Sequence, residues 1–274
     1  MSQPTATTVH PAGGRLTFAH VLRGEWTKLW SVRSTWWVLG ILVVCLVATG
    51  LGFSAAERAY PQIGAAAAGQ TYASDAPSNG IMFGQLIMAI LAVLMIAGEF
   101  ASGEIKTSLL GAPGRWRVLA AKATVVAGIS FVLTAVMTYL LTLAAWPIVR
   151  SIAVDDRFTA DGLRAAAGAG LAVALVALMA LGIGCLVRSV PLAAMIVAAL
   201  TFVLPMITVE MSAHWMSVVN SYLIGWSTQG LTTPATQIDP SKGIFSFGKA
   251  LWISALWAFI PLIAGAVTLR KRDV

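Results

Sequence analysis

Six apolar runs, each long enough to cross a hydrocarbon layer roughly 30 Å thick at helical rise, limit what this chain can become. They cover 36–53, 81–100, 118–148, 163–187, 192–209 and 247–269. None shows the apolar–polar alternation of a barrel strand, and each has helical length. Hydrophobic residues make up 58% and charged residues 11% of the 274 positions, with a mean hydropathy of +0.83. A soluble core does not accommodate that balance. The expected fold is an all-α polytopic membrane protein with six transmembrane helices. The third and fourth runs exceed what a bilayer needs, so tilt or extension beyond it is expected.

Outside the runs the chain changes character. Residues 1–14 are rich in Ser, Thr, Pro and Gly without a signal-peptide pattern, and read as a flexible tail. The remainder, 15–274, reads as a single transmembrane domain. Over 15–34, Phe18, Val21, Leu22, Trp26, Leu29 and Trp30 recur at helical spacing, while Arg23, Thr27, Lys28 and Ser31 fall towards the other side. That pattern predicts an N-terminal amphipathic interfacial helix, with Trp26 and Trp30 at headgroup depth and Lys28 and Arg33 in water. Between the fifth and sixth runs, the aromatic stretch 215–226 predicts one or two short re-entrant helices in the outer leaflet. Pro205 and Pro261 predict local kinks. Small residues in the fourth run, including Gly170, Ala174, Ala180 and Gly184, permit close helix approach, for a dimer interface or for packing within the chain.

Basic residues set the orientation. Of the 18 Lys and Arg, 12 fall on one side: before the first run, between the second and third, at Arg188, and at the C-terminus. This predicts a multi-pass protein of the cell membrane with both termini cytoplasmic. The formal net charge of +7 is scattered along the chain instead of forming one basic face, so nucleic acid is not an expected partner.

Catalytic patterns are absent from the sequence. There is no G-x-x-x-x-G-K-[ST] phosphate loop, no H-E-x-x-H and no G-x-S-x-G. His10, His20 and His214 are far apart in sequence, and Cys45 and Cys185 sit inside apolar runs, so neither a metal centre nor a disulfide is expected. No ionisable residue lies near the middle of a run; the nearest are Glu99, Arg188 and Glu210, close to run ends. Phe83, Phe131, Phe202 and Trp252 are aromatic residues suited either to a substrate path or to lipid contact, and no substrate site is assigned.

The charged, glycine-punctuated segment 98–122 interrupts two apolar runs. Glu99, Gly103, Lys106, Leu110 and Pro113 echo the pattern E-x-x-x-G-x-x-[KR]-x-x-x-L-x-x-P-x-x-R, whose closing arginine falls on Trp116, between Arg115 and Arg117, with Lys122 following. With Glu25-Trp26-Thr27-Lys28 and Arg33-Ser34-Thr35-Trp36-Trp37 before the first run, the chain resembles an ABC-2 type permease, the membrane subunit of an ATP-binding cassette exporter. The resemblance implies a cytoplasmic coupling helix between spans 2 and 3. Glu99, Gly103, Glu104, Ile105, Lys106, Leu109 and Leu110 would then be the ATPase-coupling residues. It also implies two copies of a separate ABC ATPase that bind ATP and Mg, a homodimer or a heterodimer with a related permease, and export of an amphipathic or hydrophobic cargo such as an antibiotic, peptide or lipid. The chain itself would bind no cofactor and would not be an enzyme; membrane lipid would surround it. Glu99 is positioned either to pair with Arg23, Lys28 or Arg33 of the first helix or to snorkel into water. The same segment also reads as a solvated loop. A non-transporting immunity or structural membrane protein and an ATP-independent carrier are the alternatives.

Overall fold

The computed structural model describes residues 17–60, 71–103, 115–210, 214–234, 237–238 and 244–271. The tail 1–14 lies outside them, as do residues 104–114, which include Glu104, Ile105, Lys106, Leu109 and Leu110.

The chain is a polytopic all-α membrane protein, and six helical stretches among its described residues are long and apolar enough to span a bilayer, one of them running through a π turn. Helix α1 (Phe18–Ser31) precedes the first long helix, α2 (Arg33–Ala59); a short α3 (Asp75–Asn79) leads into α4 (Ile81–Ser102). Then come α5 (Arg115–Val149), α6 (Ala160–Val187), α7 (Val190–Ala198), a π turn (Ala199–Val203) and α8 (Leu204–Glu210). Three short helices, α9 (His214–Tyr222), α10 (Ile224–Ser227) and α11 (Gln229–Thr232), precede α12 (Phe247–Lys271). Two-residue strands β1 (Thr71–Tyr72) and β2 (Ala153–Val154) pair in parallel.

Helix α6 is the axis of the bundle, packing against α4, α5 and α12. Its most apolar stretch is 78% buried, whereas those of the first, fifth and sixth spans are 22–28% buried and leave most of their surface for lipid. Small residues make the central position possible. A Cβ on Gly182 would collide with the backbone of Pro261 and Leu262 in α12, one on Gly170 with the Phe131 carbonyl of α5, and one on Gly168 with the Leu231 carbonyl. Of the two uses open to these small residues, packing within the chain is therefore present.

Several helix ends follow from local chemistry. The Thr159 hydroxyl accepts from the Gly162 amide and caps α6. Gly103, at φ +77°, ends α4 in a left-handed turn, which glycine enters without the Cβ clash other residues meet. Pro205 has no amide proton for the Thr201 carbonyl one turn earlier. The chain widens there into the π turn, with the Leu204 amide donating to Ala199 O, and the Thr201 carbonyl lies against Gly225, where any Cβ would collide.

The long helices run past the apolar stretches that announced them. Helix α2 begins at Arg33 and ends at Ala59, and α5 begins at Arg115, because Arg, Glu and Ala extend a helix well once an apolar stretch has formed it, and Ser and Thr are carried along at modest cost.

Candidate functional site

Glu25, Lys28, Glu99 and Lys122 come from three different helices and meet at one end of the bundle. Helix α1 buries Glu25 and Leu29, one turn apart on one face. In α4, Glu99 continues the buried face of Gln85, Met88, Ala92 and Ile96, at spacings that keep one side of a helix inward. Lys122 lies seven positions into α5 and is only 1% exposed, beside the buried Val126 and Ile129.

These placements bring opposite charges into contact. Lys122 Nζ donates to Glu25 Oε2 at 2.6 Å and to Glu99 Oε1 at 2.8 Å. Lys28 Nζ reaches the same Glu99 oxygen at 2.5 Å, with 40% of its side chain exposed. The result is a Glu25–Lys122–Glu99–Lys28 chain, formally neutral, that ties α1 to α4 and α5. A buried ammonium with two carboxylate partners offsets its own desolvation; one with none would not. Glu99 Oε2 is buried and has no hydrogen-bond partner among the described residues.

A cavity of about 170 Å³ adjoins the network. Its charged end is formed by Glu25, Lys28, Glu99 and Lys122, and its apolar walls include Leu29, Leu91, Leu94 and Met95. On the far side of α1, Trp26, Trp30 and Trp36 pack in series, with ring centroids 5.6 and 4.9 Å apart. They edge an apolar groove of about 940 Å³ that Gly40 of α2 and Gly128 of α5 also line.

Lys28, one of the three basic residues considered for Glu99, pairs with it and keeps 40% of its side chain exposed. Arg33, another basic residue considered for Glu99, is exposed and makes no ion pair among the described residues. Gly103 closes α4 one turn beyond Glu99. Trp252 is 71% exposed and Phe131 39% exposed, while the rings of Phe83 and Phe202 meet at a tilt of 51° with centroids 5.8 Å apart. Sequence reasoning did not identify the buried roles of Glu25 and Lys122. The available signal was Glu25 itself, a carboxylate three residues after Leu22 and four before Leu29 on the stripe that faces inward.

A second polar cluster lies at the other end of the bundle. Asp75 accepts from the Tyr72 amide at 2.8 Å and from Gln237 Nε2 at 3.2 Å, while Ser74 Oγ donates to Asp156 at 2.5 Å. Burial is the main cause that pushes the Asp75 carboxyl up to about 6, with repulsion from Asp156 adding to it. Burial also raises Asp156. Further out, Asp155 is exposed and held below the usual carboxylate range chiefly by its hydrogen bonds from Arg157. Among the described residues no group of three His, Cys, Asp or Glu has a metal-binding arrangement.

The chain matches no protein-family model, and no curated protein matches it.

Proposed function

We propose that this polytopic protein is the permease subunit of an ATP-driven exporter of the ABC-2 type, working with a separate ATPase. The observation that carries the reading is the buried Glu25–Lys122–Glu99–Lys28 network. It joins α1 to the two spans that flank residues 104–114, so a force applied to that segment reaches α1, α4 and α5 together.

In this reading the segment is a cytoplasmic coupling helix, with Ile105, Leu109 and Leu110 as apolar anchors and Glu104 and Lys106 at their rim. Both termini are cytoplasmic, and α1 lies in the inner membrane interface with its tryptophans among headgroups. The short helices α9 to α11 re-enter the outer leaflet. Two permease copies, identical or related, form the pathway, and two ATPase subunits supply hydrolysis of Mg-bound ATP. The chain contributes a path and a coupling surface, without nucleotide chemistry of its own. The aliphatic and aromatic surface of its spans suits an amphipathic or hydrophobic cargo.

The test is co-purification of the full chain in mild detergent from the cell that makes it. A partner carrying a phosphate loop is expected in about equal amount, with Mg-ATP hydrolysis in lipid. Replacing Leu109→Asp, which puts a charge into an apolar contact, should reduce retention of that partner by at least about tenfold. A chain that purifies alone, or a Leu109→Asp chain that keeps its ATPase, would overturn the reading.

A further inference from the structure

The cavity beside Glu99 has features that the ion-pair network does not use. Glu99 is nine-tenths buried; its Oε1 accepts from both lysines, yet Oε2 has no partner among the described residues. That oxygen belongs to a residue lining the 170 Å³ cavity, and a buried carboxylate oxygen without a donor is costly. The remaining walls are mixed: Leu29, Leu91, Leu94 and Met95 are apolar, and Ser34, Thr35 and Ser102 add hydroxyls at the edge. An occupant that combines a hydrogen-bond donor with an aliphatic body matches both Glu99 Oε2 and the apolar wall.

Charge narrows the choice. Among the described residues two carboxylates and two ammoniums balance, so a cationic or anionic head would bring added charge against the buried Glu25, Glu99 and Lys122. A hydroxyl brings none. It can donate to Glu99 Oε2 and accept from Lys122, whose ammonium has three protons for two carboxylate partners. Size is consistent with this: a cavity of about 150 Å³ admits benzene, so this one takes a hydroxyl and about six carbons.

We infer that the cavity is a binding site for a neutral, hydroxyl-headed amphiphile, its oxygen on Glu99 and its chain along Leu91, Leu94 and Met95. The site stands apart from the exporter reading and requires no ATPase.

The purified full chain in detergent is photolysed with a six-carbon primary alkanol bearing a diazirine. Adducts are expected on Leu91, Leu94 or Met95. Competition by 1-hexanol should exceed that by its methyl ether, which has no donor, by about tenfold, the value of one hydrogen bond to a charged acceptor. Leu94→Trp, which fills the cavity without touching the ion pairs, should remove the labelling. Glu99→Gln should retain labelling but erase the preference for alcohol over ether. The inference is overturned if labelling is spread over outward residues such as Trp252 and Ile263, or if the ether competes as well as the alcohol. Absence of any adduct in the cavity, meaning that only water enters it, also overturns it.

Discussion

At the scale of single residues, the two lysines of the inner network are not equivalent. Lys122 is 1% exposed and, among the described residues, links Glu25 to Glu99; removing it leaves the buried Glu25 beside a Glu99 that keeps Lys28. Lys122→Met should therefore cost about 3–5 kcal/mol, as expected when one partner of a buried ion pair is lost. Lys28 is 40% exposed on its side chain, and Lys28→Met should cost less than about 1 kcal/mol, since water screens what the pair contributes. Thermal unfolding of both variants in one detergent checks the contrast. Restoration of Lys122→Met by adding Glu25→Gln would show that the loss comes from stranded charge, because a neutral amide removes one of the two repelling groups. Equal losses for the two lysines would show that the network does not discriminate between them. The sequence placed Lys122 at the mouth of the third span, where a lysine ordinarily snorkels to water. Its burial depends on Glu25 and Glu99 arriving from other helices, which no local pattern around position 122 reports.

At the scale of helices, α6 shows how far glycine spacing governs packing. Gly182→Ala would drive a methyl into the backbone of Pro261 and Leu262. Backbone cannot rotate aside as a side chain does, so a loss of about 1–3 kcal/mol is expected. Gly128 of α5 has nothing within 4 Å of a added Cβ, and Gly128→Ala should be neutral or stabilising by up to about 1 kcal/mol through helix propensity. Paired unfolding curves give the answer, and a destabilised Gly128→Ala would imply that a neighbour occupies the apolar groove there. The six long helices were legible in the sequence because a bilayer demands about 20 apolar residues in succession. Their ends were less so. Helix α5 begins at Arg115, three residues before its apolar run, and α2 continues to Ala59, six residues beyond its own. The π turn ahead of Pro205 was visible only as a disturbance to be expected near proline, since its form depends on Gly225 packing against the freed carbonyl. The pairing of β1 with β2 joins residues about eighty positions apart and has no signature in two-residue segments.

At the scale of the whole molecule, that pairing is part of a clasp opposite the inner network. It joins the segment before α4 to the segment between α5 and α6 through β1–β2 and Ser74–Asp156, and to the segment after α11 through Asp75–Gln237. Its charged and titratable neighbours are mostly acidic: Asp156 acts on Asp75, Glu57 of α2 lies in the field of Asp75, and Asp155 acts on Asp156 while pairing with Arg157. Asp75 is raised to about 6 in the folded protein from 3.8, so between those values the folded chain binds a proton that the unfolded chain releases. The sign follows from linkage: where the folded state holds more protons, stability falls as pH rises. The Asp75 contribution is complete below pH 3.8 and lost as pH passes through about 6; the raised Asp156 acts in the same direction. A shift of that size corresponds to about 3 kcal/mol. Unfolding temperature between pH 4.5 and 7.5 should therefore decline for the native chain, and Asp75→Asn, which cannot ionise but keeps an acceptor for Tyr72 and Gln237, should flatten the decline. Amide exchange at Ala73, which donates to Val154 O, should accelerate over the same interval by more than base catalysis alone produces, so that its protection falls. A native chain whose stability rises across it would show that the carboxyls of the clasp are ionised throughout and that other groups hold the two segments together.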